Sequence, residues 1–366
     1  MLRILHVVTD MGCGGLETML MNYYRKIDRD NLQFDFLVHR ETREFYDDEI
    51  ESLGGHIFRM PRLNPFSITY KRRIGKFLDE HPEYQIVHVH QDCLSGVFLK
   101  VAKKHGVIHR IAHSHSSSQT KNIKYPIKLL FRQSIPNNAT LLMACSKAAG
   151  DWMFCGNDYQ ILNNAIDAKS YIYDEELRRK IRKQLKIEDD LLVGHVGRFS
   201  TPKNHLFLLD VFNELQKTIS AKLLLVGDGG LRKEIEDKIS SLGLADKVIL
   251  LGRRSDVADL LQAMDVFVFP SIYEGLPLTI IEAQAAGLPC LISEKVPIEC
   301  KKTKLVYQMS LEQEAAEWAD CVMKISKENR SNTYVDIRDA GYDSEENAMQ
   351  LSALYLELER SVCNGM

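Results

Sequence analysis

The sequence has no paired-cysteine motif and no long apolar run. Its eight cysteines form no CxxC pair and no repeated spacing, which argues against a zinc ribbon, a redox motif or a disulfide framework. No stretch reaches the roughly 18 apolar residues of a membrane-spanning helix, and the first residues lack the charged and longer apolar regions of a signal peptide. We therefore expect a cytoplasmic protein with reduced thiols. Its 366 residues suffice for two domains.

Charge of one sign is concentrated in one region. The formal net charge is −3, but residues 61–133 contain 13 Lys and Arg against four Asp and Glu. The rest of the chain is correspondingly acidic. A basic region inside an acidic protein suggests an anionic partner on one side only: a phosphate-bearing substrate, a nucleic acid or a membrane surface.

Short apolar, β-branched runs alternate with helical patterns along most of the chain. Each run is typical of a parallel strand that is buried on both faces. In the first half the alternation predicts a doubly wound α/β sheet. The predicted strands of the first half are 3–9, 34–39, 56–60, 85–90, 109–114 and 140–146.

The same pattern restarts in the second half and predicts a second Rossmann-like sheet. Its predicted strands are 191–199, 221–229, 247–252, 266–271 and 289–293. Turn-forming Asn163 and Asn164 precede a charged helical stretch and place the joint near 164. We predict an N-terminal domain of 1–163, a C-terminal domain of 164–344 and a last helix of 345–366. In such sheets ligands bind at the carboxyl ends of strands, and two facing sheets would form a cleft.

The first loop of interest, "TDMGCGGLET", contains Gly12, Gly14 and Gly15 directly before a predicted helix. A glycine turn at a helix N-terminus exposes N–H groups to an anion, although a plain tight turn is an equal alternative. It is not a dinucleotide fingerprint, because Glu17 stands where the third glycine belongs. His39 also stands where the ribose-binding acid is expected.

Two histidines, His113 and His115, lie on one side of the strand end "AHSHSSS". Imidazoles there suit proton handling or hydrogen bonds to sugar and phosphate oxygens. A structural pair is an alternative. A metal site is a further one, but no third ligand stands at a fixed offset.

The loop "GRFSTPKNH" follows the first strand of the second half and contains two cations. Arg198 and Lys203 are five residues apart across a turn with Pro202. Both could converge on one diphosphate, the guanidinium as a planar fork and the ammonium as a point charge. Two solvated surface cations are the alternative, which their position at a strand end makes weaker.

The stretch "PSIYEGLPLTIIEAQAAGLP" places two carboxylates, Glu274 and Glu282, eight residues apart in otherwise apolar surroundings. Pro277 suits the first position of a helix and Gly287 suits its left-handed C-terminal cap. Both carboxylates would then flank the start of that helix, where N–H groups can bind an anion. A carboxylate that only caps the helix or pairs with a base is the alternative.

The E-x7-E spacing, "DVFVFPS", "EAQAAGLPCLIS" and "VGRFSTPKNH" together resemble the retaining glycosyltransferases of the GT4 type, which have the GT-B fold. "GGLET", "ILNNAID" and "LVGDGGLRKEIE" support the resemblance, which covers roughly residues 1–300. It implies transfer of a sugar from a nucleotide-diphosphate donor, most simply a UDP-sugar, to a glycan or lipid-linked acceptor during surface polysaccharide synthesis. A nucleotide-sugar epimerase and a non-catalytic nucleotide-sugar-binding protein are the alternatives.

The resemblance also implies roles for single residues of the second half. Arg198 and Lys203 would hold the donor diphosphate and stabilise it as it leaves. Glu282 would bind the ribose and Glu274 the hydroxyls of the transferred sugar. The backbone that would hold sugar and phosphate comprises Gly275, Leu276, Leu278 and Thr279.

The resemblance also implies a residue near the nucleotide base, and it implies site residues in the first half of the chain. Arg253 would lie near the base, and Gly14 and Gly15 near donor phosphate or acceptor. His113 or His115 would be the active-site histidine, with His115 slightly favoured. We expect no cofactor and no metal, because two cations can neutralise the leaving diphosphate.

The basic first half is expected to meet the acceptor. In "KNIKYPIKLLFRQ", Lys124, Lys128 and Arg132 are spaced i, i+4, i+8 beside apolar residues, which suits an anionic lipid surface. Pro126 interrupts strict helicity, and a solvated helix face is the alternative. We therefore predict a polyprenyl-diphosphate-linked or glycan acceptor and peripheral attachment to the inner face of the cell membrane. No nucleic-acid platform of interleaved aromatics is present.

Overall fold

The chain forms two compact α/β units. The computed structural model describes residues 1–12, 14–116 and 125–364. Unit 1 comprises Met1–Ala165 and Ser344–Met366, and unit 2 comprises Ile166–Asp343. The chain therefore leaves unit 1 once and returns to it with its last helix.

Unit 1 is built on a parallel sheet of seven strands in the order β3-β2-β1-β4-β5-β6-β7. The central strands are buried on both faces, as their continuous apolar sequences require. The carboxyl ends of β1, β4 and β5 are adjacent, because β4 pairs with both other strands. The strands are β1 Leu2–Val7, β2 Leu32–Val38, β3 Ile57–Arg59, β4 Ile86–Val89, β5 His109–Ser114, β6 Leu141–Ala144 and β7 Gln160–Ile161.

Among the described residues of unit 1, eight helices accompany this sheet, including the long last helix, whose Tyr355 is buried in the core of the unit. The Tyr355 hydroxyl lies 2.6 Å from Nδ1 of His88, which ties the last helix to β4. The helices are α1 Gly15–Tyr24, α2 Asp47–Ser52, α3 Ile68–Glu80, α4 Ser95–Lys104, α5 Tyr125–Gln133, α6 Ile135–Asn138, α7 Lys147–Phe154 and α15 Ser344–Asn364.

Unit 2 repeats the same winding with six parallel strands in the order β10-β9-β8-β11-β12-β13. Its switch point lies between β8 and β11, which pair at Val193 and Val266. The strands are β8 Leu191–Val196, β9 Ala221–Val226, β10 Val248–Gly252, β11 Val266–Phe269, β12 Cys290–Ser293 and β13 Val306–Met309. The helices are α8 Glu175–Gln184, α9 His205–Leu215, α10 Arg232–Ser241, α11 Val257–Ala263, α12 Leu278–Ala285, α13 Ala315–Ile325 and α14 Tyr334–Asp339.

The predicted α/β class and the two doubly wound sheets are confirmed. Every predicted strand has its counterpart, usually shorter by one to three residues at its end, as with β1, which stops at Val7. Strands β7 and β13 were not predicted, because a two-residue edge strand and a half-exposed one give little apolar signal. Among the described helices, none combines the length and apolarity needed to cross a membrane.

Candidate active site

The loop after β8 presents the two predicted cations differently. Arg198 is exposed. Lys203 ends a 3-10 turn formed by Thr201–Lys203, and only 18% of its side chain is exposed. Asn204 is the N-cap residue of α9 and adopts φ +56°, a left-handed conformation that asparagine tolerates well. The turn therefore holds Lys203 close to the sheet and leaves Arg198 available at the surface.

The loop after β11 brings Glu274 to Lys203. Lys203 Nζ lies 2.7 Å from Glu274 Oε1, and 13% of the Glu274 side chain is exposed. The same ammonium lies 4.5 Å from the centre of the Phe269 ring, which contributes a cation–π attraction. Strands β8 and β11 are neighbours, so their strand-end loops meet. The structure thus unites two predicted site residues that are 71 positions apart in the sequence.

Helix α12 begins directly after this loop. It starts at Leu278, so Pro277 is the N-cap and not the first helical residue as predicted. Gly287 has φ +68°, which confirms the predicted left-handed end. The first N–H groups of a helix have no intrahelical acceptor. Those of Leu278 and Thr279 are therefore available to a ligand at the start of α12. Gly275 and Leu276 lie in the turn that precedes it, with Gly275 exposed.

Glu282 is one turn inside α12, and the residue as a whole is partly exposed. Burial raises the pKa of its carboxyl group to about 7, and a hydrogen bond from Tyr171 opposes the rise. The carboxyl group is therefore divided between its charged and neutral forms near neutral pH. A hydroxyl-rich ligand that donates to it would favour the charged form.

Arg253 is exposed and follows Gly252, the last residue of β10, which has φ +66°. The left-handed conformation of Gly252 turns the chain away from the sheet at this point. Arg253 therefore lies at the carboxyl edge of the unit 2 sheet, the edge at which Rossmann-like sheets bind ligands.

In unit 1, the glycine loop between β1 and α1 contains a carboxylate at the predicted anion site. Glu17 accepts hydrogen bonds from the backbone at Glu17 and Gly14, and its pKa is raised chiefly by burial. A Cβ atom at Gly14 would come within 2.3 Å of Glu17 Oε2. Gly14 and Gly15 are exposed. An external phosphate at these N–H groups would have to displace Glu17.

His113 and His115 lie with their ring centres 4.1 Å apart at the end of β5. His113 is 2% exposed, and burial lowers the pKa of its imidazole well below the usual value, while a hydrogen bond with the backbone of Leu162 opposes this shift. His115 is partly exposed, and its Nδ1 lies 3.3 Å from Oδ1 of Asn164. His115 is thus the more accessible of the two.

Three further histidines join this pair, and none of them was predicted from the sequence. His6 is the residue before the last one of β1, while His88 and His90 lie in and just after β4. Nδ1 of His6 is 3.1 Å from Nε2 of His90, and Nδ1 of His90 is 2.9 Å from Nε2 of His115. The repeated "HVH" and "HSH" would have revealed the cluster if β4 and β5 had been aligned as neighbours.

The comparisons with known proteins agree with this geometry. "Glycosyl transferases group 1" matches residues 177–344, and "Glycosyltransferase Family 4" matches residues 13–169. A protein described as putative glycosyltransferase EpsF of Bacillus subtilis is 35% identical over 96% of both chains. The chain belongs to the family 4 glycosyltransferases. It is an enzyme of the glycosyltransferase class.

Other relatives of this glycosyltransferase include one that is named for capsular polysaccharide synthesis and one that is named for galactosyl transfer. The capsular polysaccharide biosynthesis glycosyltransferase CapH of Staphylococcus aureus is 25% identical and covers 92% of this chain and 94% of its own length. The Escherichia coli UDP-Gal:alpha-D-GlcNAc-diphosphoundecaprenol alpha-1,3-galactosyltransferase is 28% identical, and the match covers 80% of this chain and 79% of the relative.

Solved structures place the glycosyltransferase in the GT-B fold. Anabaena HepE in complex with UDP superposes with a TM-score of 0.79 at 18% identity, covering 98% of this chain and all of the other. WaaG, a glycosyltransferase of lipopolysaccharide biosynthesis, gives 0.67 at 17% identity with 94% of both chains covered. At such identities the likeness concerns the fold alone.

Proposed function

We propose that the enzyme transfers a sugar from a UDP-sugar, with retention of anomeric configuration, to a lipid-linked or glycan acceptor of surface polysaccharide synthesis. The Lys203–Glu274 pair beside the start of α12 is the observation that carries this proposal. It sets a cation for the diphosphate next to a carboxylate for the sugar. The names of the relatives support the same reaction and not an epimerase or a non-catalytic sensor.

Donor binding would exchange the partners of this pair. The diphosphate would draw Lys203 away from Glu274 and would also meet Arg198 and the N–H groups of α12. Glu274 would then accept hydrogen bonds from the sugar hydroxyls, and Glu282 from the ribose. Each charge would keep a partner throughout, which matters because an unpaired half-buried charge is costly.

Loss of the diphosphate concentrates negative charge on its oxygens and positive charge at the anomeric carbon. The prepositioned cations Arg198 and Lys203 and the helix start would stabilise that leaving group. Same-face attack, with the leaving phosphate accepting the acceptor proton, would explain why no carboxylate nucleophile is required. Arg253 would contact the base, and Gly14 and Gly15 would flank the acceptor. His115 or His113 would contribute from unit 1.

The test of this reaction is a transfer assay with UDP-glucose, UDP-galactose and their N-acetylated forms on an undecaprenyl-diphosphate-linked acceptor. We expect one donor to be consumed, with an α-linked product recognised by the coupling of its anomeric proton. A β-linked product would overturn retention, and donor binding without consumption would indicate a sensor. Added Mg²⁺ or Mn²⁺ should not raise the rate, because Arg198 and Lys203 serve the diphosphate.

We also propose that a basic groove of unit 1 meets the lipid-linked acceptor. The groove has a volume of about 620 Å³ and combines cations with apolar side chains. At its rim Ile68 and Leu130 are 65% and 64% exposed. Its basic residues are Lys71, Arg72, Lys100 and Lys104.

Helix α5 supplies part of this groove but differs from the predicted stripe. Residues 121–124, with Lys124, lie outside the described residues. Pro126 lies in the first turn of α5, where proline is tolerated. Arg132 donates to the carbonyl of Trp152 at 2.7 Å and stacks over its ring, so it is committed to the fold and not to a solvated stripe.

The measurement is sedimentation with vesicles of phosphatidylglycerol or phosphatidylcholine. Salt-sensitive binding to the anionic vesicles alone is expected. The double variant Lys71→Gln/Lys100→Gln should weaken it, whereas Lys217→Gln, an exposed lysine of unit 2, should not. Equal binding of the wild type and the double variant would overturn the assignment of the groove.

A further inference from the structure

We propose that Tyr171 is a positioning residue of the donor site: its hydroxyl donates to the carboxylate of Glu282 and holds that carboxylate ready for the ribose. The hydrogen bond joins the short segment before α8 to the middle of α12. The inference rests on the proposed function, in which Glu282 binds the ribose of a UDP-sugar. It adds a residue that does not itself have to touch the donor.

The backbone of Tyr171 is held in place by a buried glutamine. Tyr171 ends the 3-10 turn Ala168–Tyr171, which packs against α11 and α12. Its carbonyl oxygen accepts from Nε2 of Gln262 at 3.1 Å. Oε1 of the same glutamine accepts from the N–H of Asp174 at 3.2 Å. Gln262 is fully buried, so both ends of its amide fix the segment that contains Tyr171.

Arg330 ties the same segment to the end of α12. Its Cζ lies 4.2 Å from the centre of the Tyr173 ring. Its guanidinium also donates to the carbonyl oxygen of Ala286 at 3.1 Å and to that of Gln262 at 2.7 Å. The chain on both sides of Gln262 is therefore anchored to α12. The Tyr171 side chain reaches Glu282 from a support that is built before any ligand binds.

The chemistry of a carboxylate allows Tyr171 and the ribose to bind it together. An ionised carboxylate has two oxygens with about four lone-pair sites. The Tyr171 hydroxyl uses one of these sites, so the others remain for the ribose hydroxyls. A donor that binds the charged form favours that form. Tyr171 therefore orients Glu282 and also keeps more of it in the charged state that accepts from the ribose.

The ionisation of Glu282 agrees with this role. Burial raises the pKa of Glu282 to about 7, and the hydrogen bond from Tyr171 opposes the rise. Further elements that pack on α12 are α14, β12 and the 3-10 turn Ile298–Cys300. None of the described ionisable groups of these elements contributes to the shift. Those groups are Tyr334, Asp336, Arg338, Asp339, Cys290, Glu299 and Cys300.

The first experiment is calorimetric titration of the full-length Tyr171→Phe variant with UDP between pH 6 and pH 9. Phenylalanine keeps the ring and removes the donor. Loss of a hydrogen bond to a charged group should raise the ionisation midpoint of Glu282 by about one pH unit. UDP should then bind about fivefold more weakly than to the wild type at pH 7, and the difference should close near pH 9.

Tyr173→Phe is the matched control, because it removes a tyrosine hydroxyl from the same segment. That hydroxyl donates to Glu175, and the ring beside Arg330 is kept. UDP affinity should equal that of the wild type at every pH. The double variant Tyr171→Phe/Glu282→Gln should match Glu282→Gln within about twofold. A weakening by Tyr171→Phe that is equal at pH 6 and pH 9, or that persists in the double variant, would overturn the proposal.

A ligand-free measurement separates this inference from the proposed function. Tyr171 stabilises the charged form of Glu282, which is the main form at pH 8 and is absent at pH 4. Urea unfolding should therefore show a larger cost of Tyr171→Phe at pH 8 than at pH 4. An equal cost at both pH values, with UDP binding by the wild type intact, would overturn the role of Tyr171 alone. Absence of UDP binding by the wild type would overturn the proposed function as well.

Discussion

The two units share one strand order but differ in the side chains at the ends of their central strands. In unit 2, the loops after β8 and β11 supply a cation and a carboxylate, Lys203 and Glu274, which pair. In unit 1, the corresponding ends of β1, β4 and β5 supply neutral imidazoles that stack on one another. The common winding fixes where a ligand can bind, and the strand-end residues decide which chemistry is offered.

The largest expected difference concerns Arg198. If unit 2 neutralises the leaving diphosphate, Arg198→Ala should lower turnover by about 10²–10³, as for loss of one charge-stabilising donor. The control is Arg254→Ala, because Arg254 is another exposed arginine of unit 2 and is paired with Asp256. Rates are measured with saturating donor. Near-wild-type turnover by Arg198→Ala would remove the catalytic assignment of unit 2.

The second prediction uses the raised pKa of Glu282. The folded state binds its proton more tightly than the unfolded chain does, since the pKa is raised from 4.5 to about 7. Its contribution to stability is therefore full below about pH 4.5 and is lost as the pH rises to about 7. Glu282→Gln should be more stable than the wild type at pH 8, by up to about 3 kcal/mol, and similar to it near pH 4.

Urea unfolding at both pH values measures this difference. Glu299→Gln is the control, because Glu299 is an exposed glutamate of the same unit. A stabilisation of Glu282→Gln that is equal at both pH values would mean that the charge of Glu282 is not its cause.

The third prediction concerns donor affinity. Ribose hydroxyls donate hydrogen bonds to the charged carboxylate, so UDP should bind more tightly as the pH rises through about 7. The charged fraction grows from about a tenth at pH 6 to about nine tenths at pH 8, which corresponds to about a tenfold gain in affinity. Calorimetric titration should show the gain in the wild type and not in Glu282→Gln. A UDP affinity of the wild type that does not change between pH 6 and pH 8 would contradict the proposed contact between Glu282 and the ribose.

The smallest expected effect concerns the scaffold of unit 2 away from the site. Asp174 caps α8 by accepting from the N–H groups of Glu176 and Leu177 at 2.8 and 3.1 Å. Asp174→Ala should cost about 1 kcal/mol of unfolding free energy and leave turnover unchanged. Asp246→Ala, at an exposed loop position, should change neither quantity. A loss of turnover in Asp174→Ala would show that scaffold stability and catalysis are coupled.

The sequence predicts the winding of both sheets and the donor-side motifs well, because both depend on local signals. Apolar runs identify the central strands, and Glu274 lies in a motif that also contains the helix start. Its partner Lys203 is distant in sequence, but the adjacency of β8 and β11 follows from the Rossmann order. The meeting of these two loops was therefore predictable once that order was assumed.

The histidine cluster was harder to predict, because its members come from three strands that are widely separated in the sequence. His6 meets His90 because β1 pairs with β4, which is the same adjacency as that of β8 and β11, but no motif in the sequence marks His6 as a site residue. The role of Glu17 was visible in principle, since a glutamate three residues after an N-cap often reaches back to the start of its helix. The N–H groups of the glycine-rich loop therefore have an internal acceptor that competes with an external anion.

The return of α15 to unit 1 has a consequence for the order of synthesis. Unit 2 is one continuous segment, Ile166–Asp343, and all its residues are translated before the last helix begins. Unit 1 cannot bury His88 against Tyr355 until the residues of α15 have left the ribosome. The segment Met1–Ala165 is therefore translated before unit 2 but completes its packing only after unit 2 has been translated.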